Sequence, residues 1–182
     1  MLQRRLNCPS STSAGRWFDA AAAALGLCLK QTHEAEAAIA LERQAAAWLA
    51  AHDVPPFEAW VRVDSGRIDL KPLFAHLFEL GERGEPGRGA ALFHAVLAEA
   101  LAQAAHRAAA DAGVHRVVLA GGCFCNRVLT GRLVAWLERF ALDVLLPQAA
   151  GCGDAGLALG QAHVAALALP AGAALQEDIA CA

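Results

Sequence analysis

Polar and apolar positions follow three rhythms along the chain. Over residues 33–52, apolar Ile39, Leu41, Trp48 and Leu49 are interleaved with Glu34, Glu36, Glu42 and Arg43. That spacing predicts a half-buried helix, which Pro55-Pro56 ends. Around Asp64-Ser65-Gly66 the period shortens to two, so Trp60-Val61-Arg62-Val63 and Arg67-Ile68-Asp69-Leu70 predict a β-hairpin. Pro72 opens a short helix through Leu80, and Gly81-Glu82-Arg83-Gly84-Glu85-Pro86-Gly87 reads as a loop. Leu92, Phe93, Val96, Leu97, Ala100 and Leu101 return at helical spacing and predict a long helix over 89–112. Nearer the start, Ser13 is placed to cap a helix over 15–25 and Gly26 to end it.

The last third changes rhythm again. Val117-Val118-Leu119-Ala120 and Val144-Leu145-Leu146-Pro147 are continuous apolar runs, the pattern of strands buried on both faces. Gly121-Gly122 breaks the first run, and a helix is expected over 126–139. A loop over 149–153 precedes a final helix that starts at Asp154 or Ala155 and ends near Leu169. The order strand, helix, strand, helix is a βαβα unit, so the fold class is α/β, with helices and a hairpin before that unit.

The chain has 182 residues, 57% hydrophobic and 18% charged, enough apolar material for one core. Lys+Arg 15 against Asp+Glu 18 leaves a net charge of -3, with no basic patch or tail, which argues against a nucleic-acid partner. The apolar run over 20–29 is too short to span a bilayer. Arg4-Arg5 is followed at once by Asn7, Cys8, Pro9 and Ser10 rather than by an apolar stretch, so the start does not read as a signal peptide. Six cysteines without regular spacing do not make a secreted disulfide framework. The expectation is a cytoplasmic chain with no membrane partner.

Chemistry is expected at the carboxyl ends of the two buried strands, where α/β sheets bind ligands. Two loops leave those ends, one through Gly121, Gly122 and Asn126 and the other through Gly151, Gly153 and Asp154. Gly121 and Gly122 let backbone approach a phosphate, the helix start behind them offers N–H groups, and Asn126 is placed to hydrogen-bond a ribose or phosphate. An ordinary strand-to-helix turn uses the same residue types. Asp154 is either a ligand for a metal that carries nucleotide phosphates or the N-cap of the last helix. Cys123, Cys125 and Cys152 are a candidate soft-metal cluster or three small buried hydrophobes. His94 reads as a hydrogen-bonded core histidine, and no His-x-x-x-His pair, Gly-x-Ser-x-Gly elbow or phosphate-loop Lys occurs.

Several stretches together resemble one family, the hydrogenase-maturation carbamoyltransferases (HypF). Ser11-Thr12-Ser13-Ala14-Gly15-Arg16-Trp17-Phe18-Asp19-Ala20, followed by Leu25-Gly26-Leu27, is similar to the family's "TSSxGRLFDA…LGL". The segment from Glu34 through Glu42 resembles "EGQAAMELE", and Phe93-His94 with Leu97-Ala98 resembles "FHxxLA". Gly121-Gly122-Cys123-Phe124-Cys125-Asn126-Arg127 resembles "GGVFQNR", and the segment from Gly153 through Ala162 resembles "NDGGIALGQA". The matches run in family order over nearly the whole chain. Cys125 stands where glutamine is usual, Ala35 where glycine is usual, and Ala155 where glycine is usual.

The resemblance implies one lobe of an actin-like, sugar-kinase-like (ASKHA) fold, the second half of the family's carbamoyltransferase domain. Residues 1–170 would form the lobe and 171–182 a loose tail. It implies ATP or carbamoyl-adenylate, made from carbamoyl phosphate and ATP, as the bound species. The carbamoyl group passes to the C-terminal cysteine of a hydrogenase-maturation partner (HypE-like). By the same resemblance Asp154 matches the aspartate of the metal site, and Gly121, Gly122 and Asn126 match the nucleotide loop. Gly15, Asp19 and Gly26 match the segment along the adenosine. The family's metal-binding histidine pair lies in the preceding half-domain. A divalent metal is therefore expected only if a complementary N-terminal chain supplies that pair. The alternatives are a non-catalytic nucleotide- or partner-binding module and a decayed gene fragment. A lobe without its other half is expected to expose an apolar face and to self-associate.

Overall fold

The structure is a computed structural model and describes residues 4, 6, 8, 11–54, 62–64, 67–148 and 151–169. Helix α1 (Ala14–Ala24) buries Phe18, Ala21, Ala22 and Ala24. Ser13 stands at its N-cap position but makes no side-chain cap bond. Gly26 ends it as expected. At φ 69°, Gly26 donates its N–H to Ala23 O at 3.0 Å, and Leu27 donates to Ala22 O at 2.8 Å.

Helix α2 (Glu36–Leu49) is shorter than the composition predicts. Ala35 sits in the left-handed region at φ 59°, which stops helix geometry from extending toward His33. Glu36 folds back so that Thr32 donates its N–H and hydroxyl to Glu36 Oε2 at 2.6 and 3.0 Å. The buried stripe is Ala37, Leu41 and Ala45, while Ile39, expected in the core, is 47% exposed.

The hairpin forms from β1 (Arg62–Asp64) and β2 (Arg67–Asp69), antiparallel with Val63 opposite Ile68. Pro55, Pro56, Trp60, Val61, Ser65 and Gly66 lie outside the described residues. Helix α3 (Lys71–Glu82) carries Pro72 in its first turn, and α4 (Pro86–Ala112) begins on Pro86 itself. The stretch 81–87, expected as a loop, is therefore mostly helix. Only residues 83–85 connect, with Gly84 at φ 72°.

Helix α4 is the central element. It packs against α2, α3 and α1, and its Phe93 meets Phe18 edge-on at 5.1 Å. After Gly113 (φ 65°) come β3 (Arg116–Val118), a 3₁₀ turn (Gly122–Cys125), α5 (Arg127–Arg139) and β4 (Asp143–Leu145). Strands β3 and β4 pair in parallel with Val117 opposite Val144, and α5 inserts Leu129, Leu133 and Leu137 against α4. The strands are not buried on both faces. Val117 and Val144 pack into the core, whereas Val118 is 63% and Leu145 46% exposed. The helices cover one face of this two-stranded sheet, and among the described residues nothing covers the other. A 3₁₀ turn (Asp154–Gly156) leads into α6 (Leu157–Ala168), which buries none of its own residues. Among the described residues, no helix is long and apolar enough to cross a membrane.

Candidate functional site

The loop that follows β3 and the loop that follows β4 touch. Gly121 donates its N–H to the carbonyl of Cys152. A Cβ added at Gly153 would lie 3.3 Å from Gly122 Cα, closer than side chains usually come, so the two backbones approach tightly here. Cys125 Sγ lies 3.3 Å from Cys152 Sγ. Gly121 adopts φ 116° and ψ 153°, a conformation reserved for glycine. A Cβ at Gly121 or Gly122 would meet nothing within 4 Å, so bare backbone there faces open space.

The joined loops form a ridge between two hollows. The smaller, about 410 Å³, is lined by Gly15, Asp19, Glu42, Gly122, Cys125 and Asn126 among others. The larger, about 1010 Å³, lies on the other side and includes Gly121, Pro147, Asp154 and one face of α6. Gly15, Asp19, Gly122 and Asn126 are thus brought together. Gly121 and Asp154 share the neighbouring hollow. Gly26 lines neither and sits in the cap of α1.

Asn126 is committed inward. It is the N-cap of α5, with its Oδ1 accepting from Leu129 N–H at 2.9 Å. Its Nδ2 lies 2.9 Å from Nε2 of His94, which is fully buried. His94 Nδ1 lies 2.7 Å from the carbonyl of Ala90 and must donate there, so Nε2 is the bare nitrogen that accepts from Asn126. Burial lowers the His94 pKa to about 4, against the opposing pull of the Ala90 carbonyl. The imidazole is therefore neutral and serves as an acceptor at neutral pH.

Glu42 of α2 is a site residue that the sequence reading did not single out. Its Oε1 accepts from Arg127 N–H at 2.7 Å, across 85 positions of chain. With Leu129 N–H held by Asn126, two first-turn donors of α5 are already taken. The expectation that this helix start offers free N–H groups to a phosphate is corrected to that extent. Glu42 closes the segment that resembles "EGQAAMELE", but nothing in that segment names its partner, which only the packing of α2 against α5 reveals.

Asp19 lies along the smaller hollow. Arg16 Nη2 lies 2.8 Å from Asp19 Oδ2, an ion pair made off the hydrogen-bond angles, so the mostly exposed Arg16 is the partner of this carboxylate. Asp154 is exposed and is not the N-cap of α6: Gly156 holds that position, and Asp154 is the first residue of the preceding 3₁₀ turn. Among the described residues, no three His, Cys, Asp or Glu side chains converge to hold a metal ion. A hard divalent cation takes about six oxygens, so Asp154 alone does not fit one, and of the three candidate cysteines only Cys125 and Cys152 meet.

Comparison with known proteins gives one consistent answer. The family model described as "Carbamoyltransferase, Kae1-like Domain, second subdomain" matches residues 1–161. A carbamoyltransferase HypF homolog of Cupriavidus necator is 54% identical over 170 residues, which cover 91% of this chain and 43% of that protein. The carbamoyltransferase HypF of Rhodobacter capsulatus is 42% identical over 167 residues, covering 90% of this chain and 21% of that protein. The crystal structure of full-length HypF in a phosphate- and nucleotide-bound form superposes with a TM-score of 0.76 at 29% identity, over 94% of this chain and 22% of that one. The crystal structure of T. kodakarensis HypF gives a TM-score of 0.73 at 31% identity, over 85% of this chain and 20% of that one. The chain therefore spans less than half the length of each of these relatives, and about a fifth of most of them. The α/β lobe is of the actin-like, sugar-kinase-like class, and the chain belongs to the HypF carbamoyltransferase family, as the second subdomain of its Kae1-like domain.

Proposed function

We propose that this chain is the nucleotide-holding half of a carbamoyltransferase site. It would bind ATP or carbamoyl-adenylate along the ridge of the two loops and act in the cytoplasm in hydrogenase maturation. The observation that carries this reading is the contact between the Gly121–Gly122 turn and Gly153. It sets bare backbone between two hollows, one of which is also lined by the Asp19 carboxylate, paired with the exposed Arg16. That carboxylate suits a ribose hydroxyl donor, and Gly121 and Gly122 suit a phosphate that a Cβ would keep away.

In the reaction so proposed, the C-terminal cysteine thiolate of a HypE-like partner attacks the carbamoyl carbon. A C–S bond forms, the C–O bond to the adenylate phosphate breaks, and AMP leaves with the electron pair. This chain's residues position the leaving group. Gly15 and Asp19 lie along the nucleoside, Gly121 and Gly122 along the phosphate, and Asn126 keeps the loop in place through His94. Gly26 acts one step back, fixing the end of the helix that carries Asp19. Asp154 would offer one carboxylate to a divalent cation, for which the family's histidine pair would have to come from the complementary half-domain. The exposed Leu157, Leu159, Val164 and Leu167 of α6 are the surface that half-domain covers, and without it the chain self-associates there.

The test is complementation. The chain is mixed with a second chain carrying the remainder of a HypF relative, and carbamoyl-phosphate-dependent cleavage of ATP is followed. Activity should appear in the mixture alone and fall at least tenfold with Asp154→Ala. No gain over the separate chains would contradict the reading.

A further inference from the structure

We propose that Cys125 and Cys152 are an oxidisable thiol pair, which a small-molecule disulfide converts into an intrachain bond clasping the two loops of the ridge. The sulfurs are 3.3 Å apart although the residues are 27 positions apart in sequence. A disulfide needs about 2.05 Å between sulfurs, so a small side-chain movement closes it. The backbone around the pair is already fixed from both sides. Cys152 O accepts from Gly121, Gly153 rests on Gly122, and Cys125 directly precedes Asn126, which is tied to His94. The pair can be reached from solvent, since Cys125 is exposed and Cys152 is half-buried. Cys123, two residues away, has its thiol held above the ordinary range by burial and makes no such contact.

The chemistry balances as two exchanges. One thiol of the pair loses its proton, and the thiolate attacks a sulfur of the small disulfide RSSR, giving a mixed disulfide and releasing RS⁻. The second thiol loses its proton and attacks the protein sulfur of that mixed disulfide, releasing the second RS⁻. The two protons end on two RSH. Two electrons leave the cysteine pair and reduce RSSR. The hydrogen bond with Cys152 holds the Cys125 thiol above its usual range, which slows the first exchange without changing the product.

The experiment uses the full 182-residue chain carrying Cys123→Ser and Cys181→Ser, so that the two relevant tryptic peptides each hold one cysteine. The reduced protein is incubated with excess oxidised glutathione, blocked with iodoacetamide and mapped by mass spectrometry. The expected product joins the peptide of Cys125 to that of Cys152, with two fewer alkylated thiols per chain. Adding Cys125→Ser abolishes it. Hydrogen exchange in residues 120–126 and 151–156 is expected to slow at least several-fold in the oxidised form. Cys125 and Cys152 recovered singly capped, or joined to Cys8 or Cys28, would overturn the pairing. Unchanged exchange in both loops would overturn the clasp.

Discussion

Asn126 Nδ2 and His94 Nε2 lie 2.9 Å apart, buried between the turn after β3 and the central helix α4. This contact ties the proposed nucleotide loop to the central helix, beside the bond from Arg127 N–H to Glu42. The same amide caps α5 with its oxygen, so both ends of the side chain are in use. Asn126 is therefore a positioning residue, and its loss is felt in two places.

Asn126→Ala removes the cap, worth about 1 kcal/mol. It also leaves a buried imidazole nitrogen without a donor, worth about 1–3 kcal/mol. The expected loss of stability is on the order of 3 kcal/mol, read from urea unfolding at pH 7.5. A loss below about 1 kcal/mol would mean that water reaches His94 Nε2 in the variant.

The neutral His94 makes stability depend on pH. Its pKa is about 4 in the folded chain against 6.5 for the ordinary side chain. Between those values the unfolded chain binds the extra proton and the folded chain does not. Stability is therefore full above about pH 6.5 and falls as the pH drops toward 4. At 1.36 kcal/mol per pH unit the total is on the order of 3 kcal/mol. A protonated His94 also needs an acceptor at Nε2, which the Asn126 amide provides only by turning its oxygen away from Leu129. In Asn126→Asp the carboxylate accepts from both, so the slope of stability between pH 4 and 6.5 is expected to flatten. An equal slope in the two proteins would assign the effect to another group.

Ala35 gives a test of local strain. It holds φ 59° just before α2, at the position where the family resemblance expects glycine. An alanine in the left-handed region costs roughly 1 kcal/mol relative to glycine. Ala35→Gly is therefore expected to raise the thermal midpoint by a few degrees. An unchanged or lower midpoint would show that Ala35 is not strained.

Much of this architecture is legible from sequence, and what is not depends mostly on partners far away in the chain. The Gly-Gly turn, the Asn126 cap and the Gly26 stop are local devices, written within a few residues of where they act. Helix α4 announced itself by long apolar periodicity. The partners of Asn126, Glu42 and Cys125 lie 32, 85 and 27 positions away, and no local pattern names them. Apolar Val118 and Leu145 point to strands buried on both faces, but apolarity records that a face is to be covered, not which molecule covers it. Pro86 sits in a Gly-rich stretch that reads as a loop, yet proline equally starts helices. Ile39 reads as a core residue by its type, whereas the buried stripe of α2 is Ala37, Leu41 and Ala45.

Gly121 tests whether the turn itself matters. Its φ of 116° and ψ of 153° exclude a Cβ at low energy although space for one exists. Gly121→Ala is expected to cost about 1–3 kcal/mol of stability through backbone strain. It should also weaken nucleotide binding more than Gly131→Ala, a helical control on α5 with equally open surroundings. Equal effects of the two substitutions on binding would remove the turn from the site.

An amide NMR titration of the chain with ATP examines nucleotide binding along the ridge most sharply. Shift changes are expected to concentrate at Gly15, Asp19, residues 121–126 and residues 153–156, on both sides of the ridge. Changes confined to other regions, or none at millimolar ATP, would contradict it.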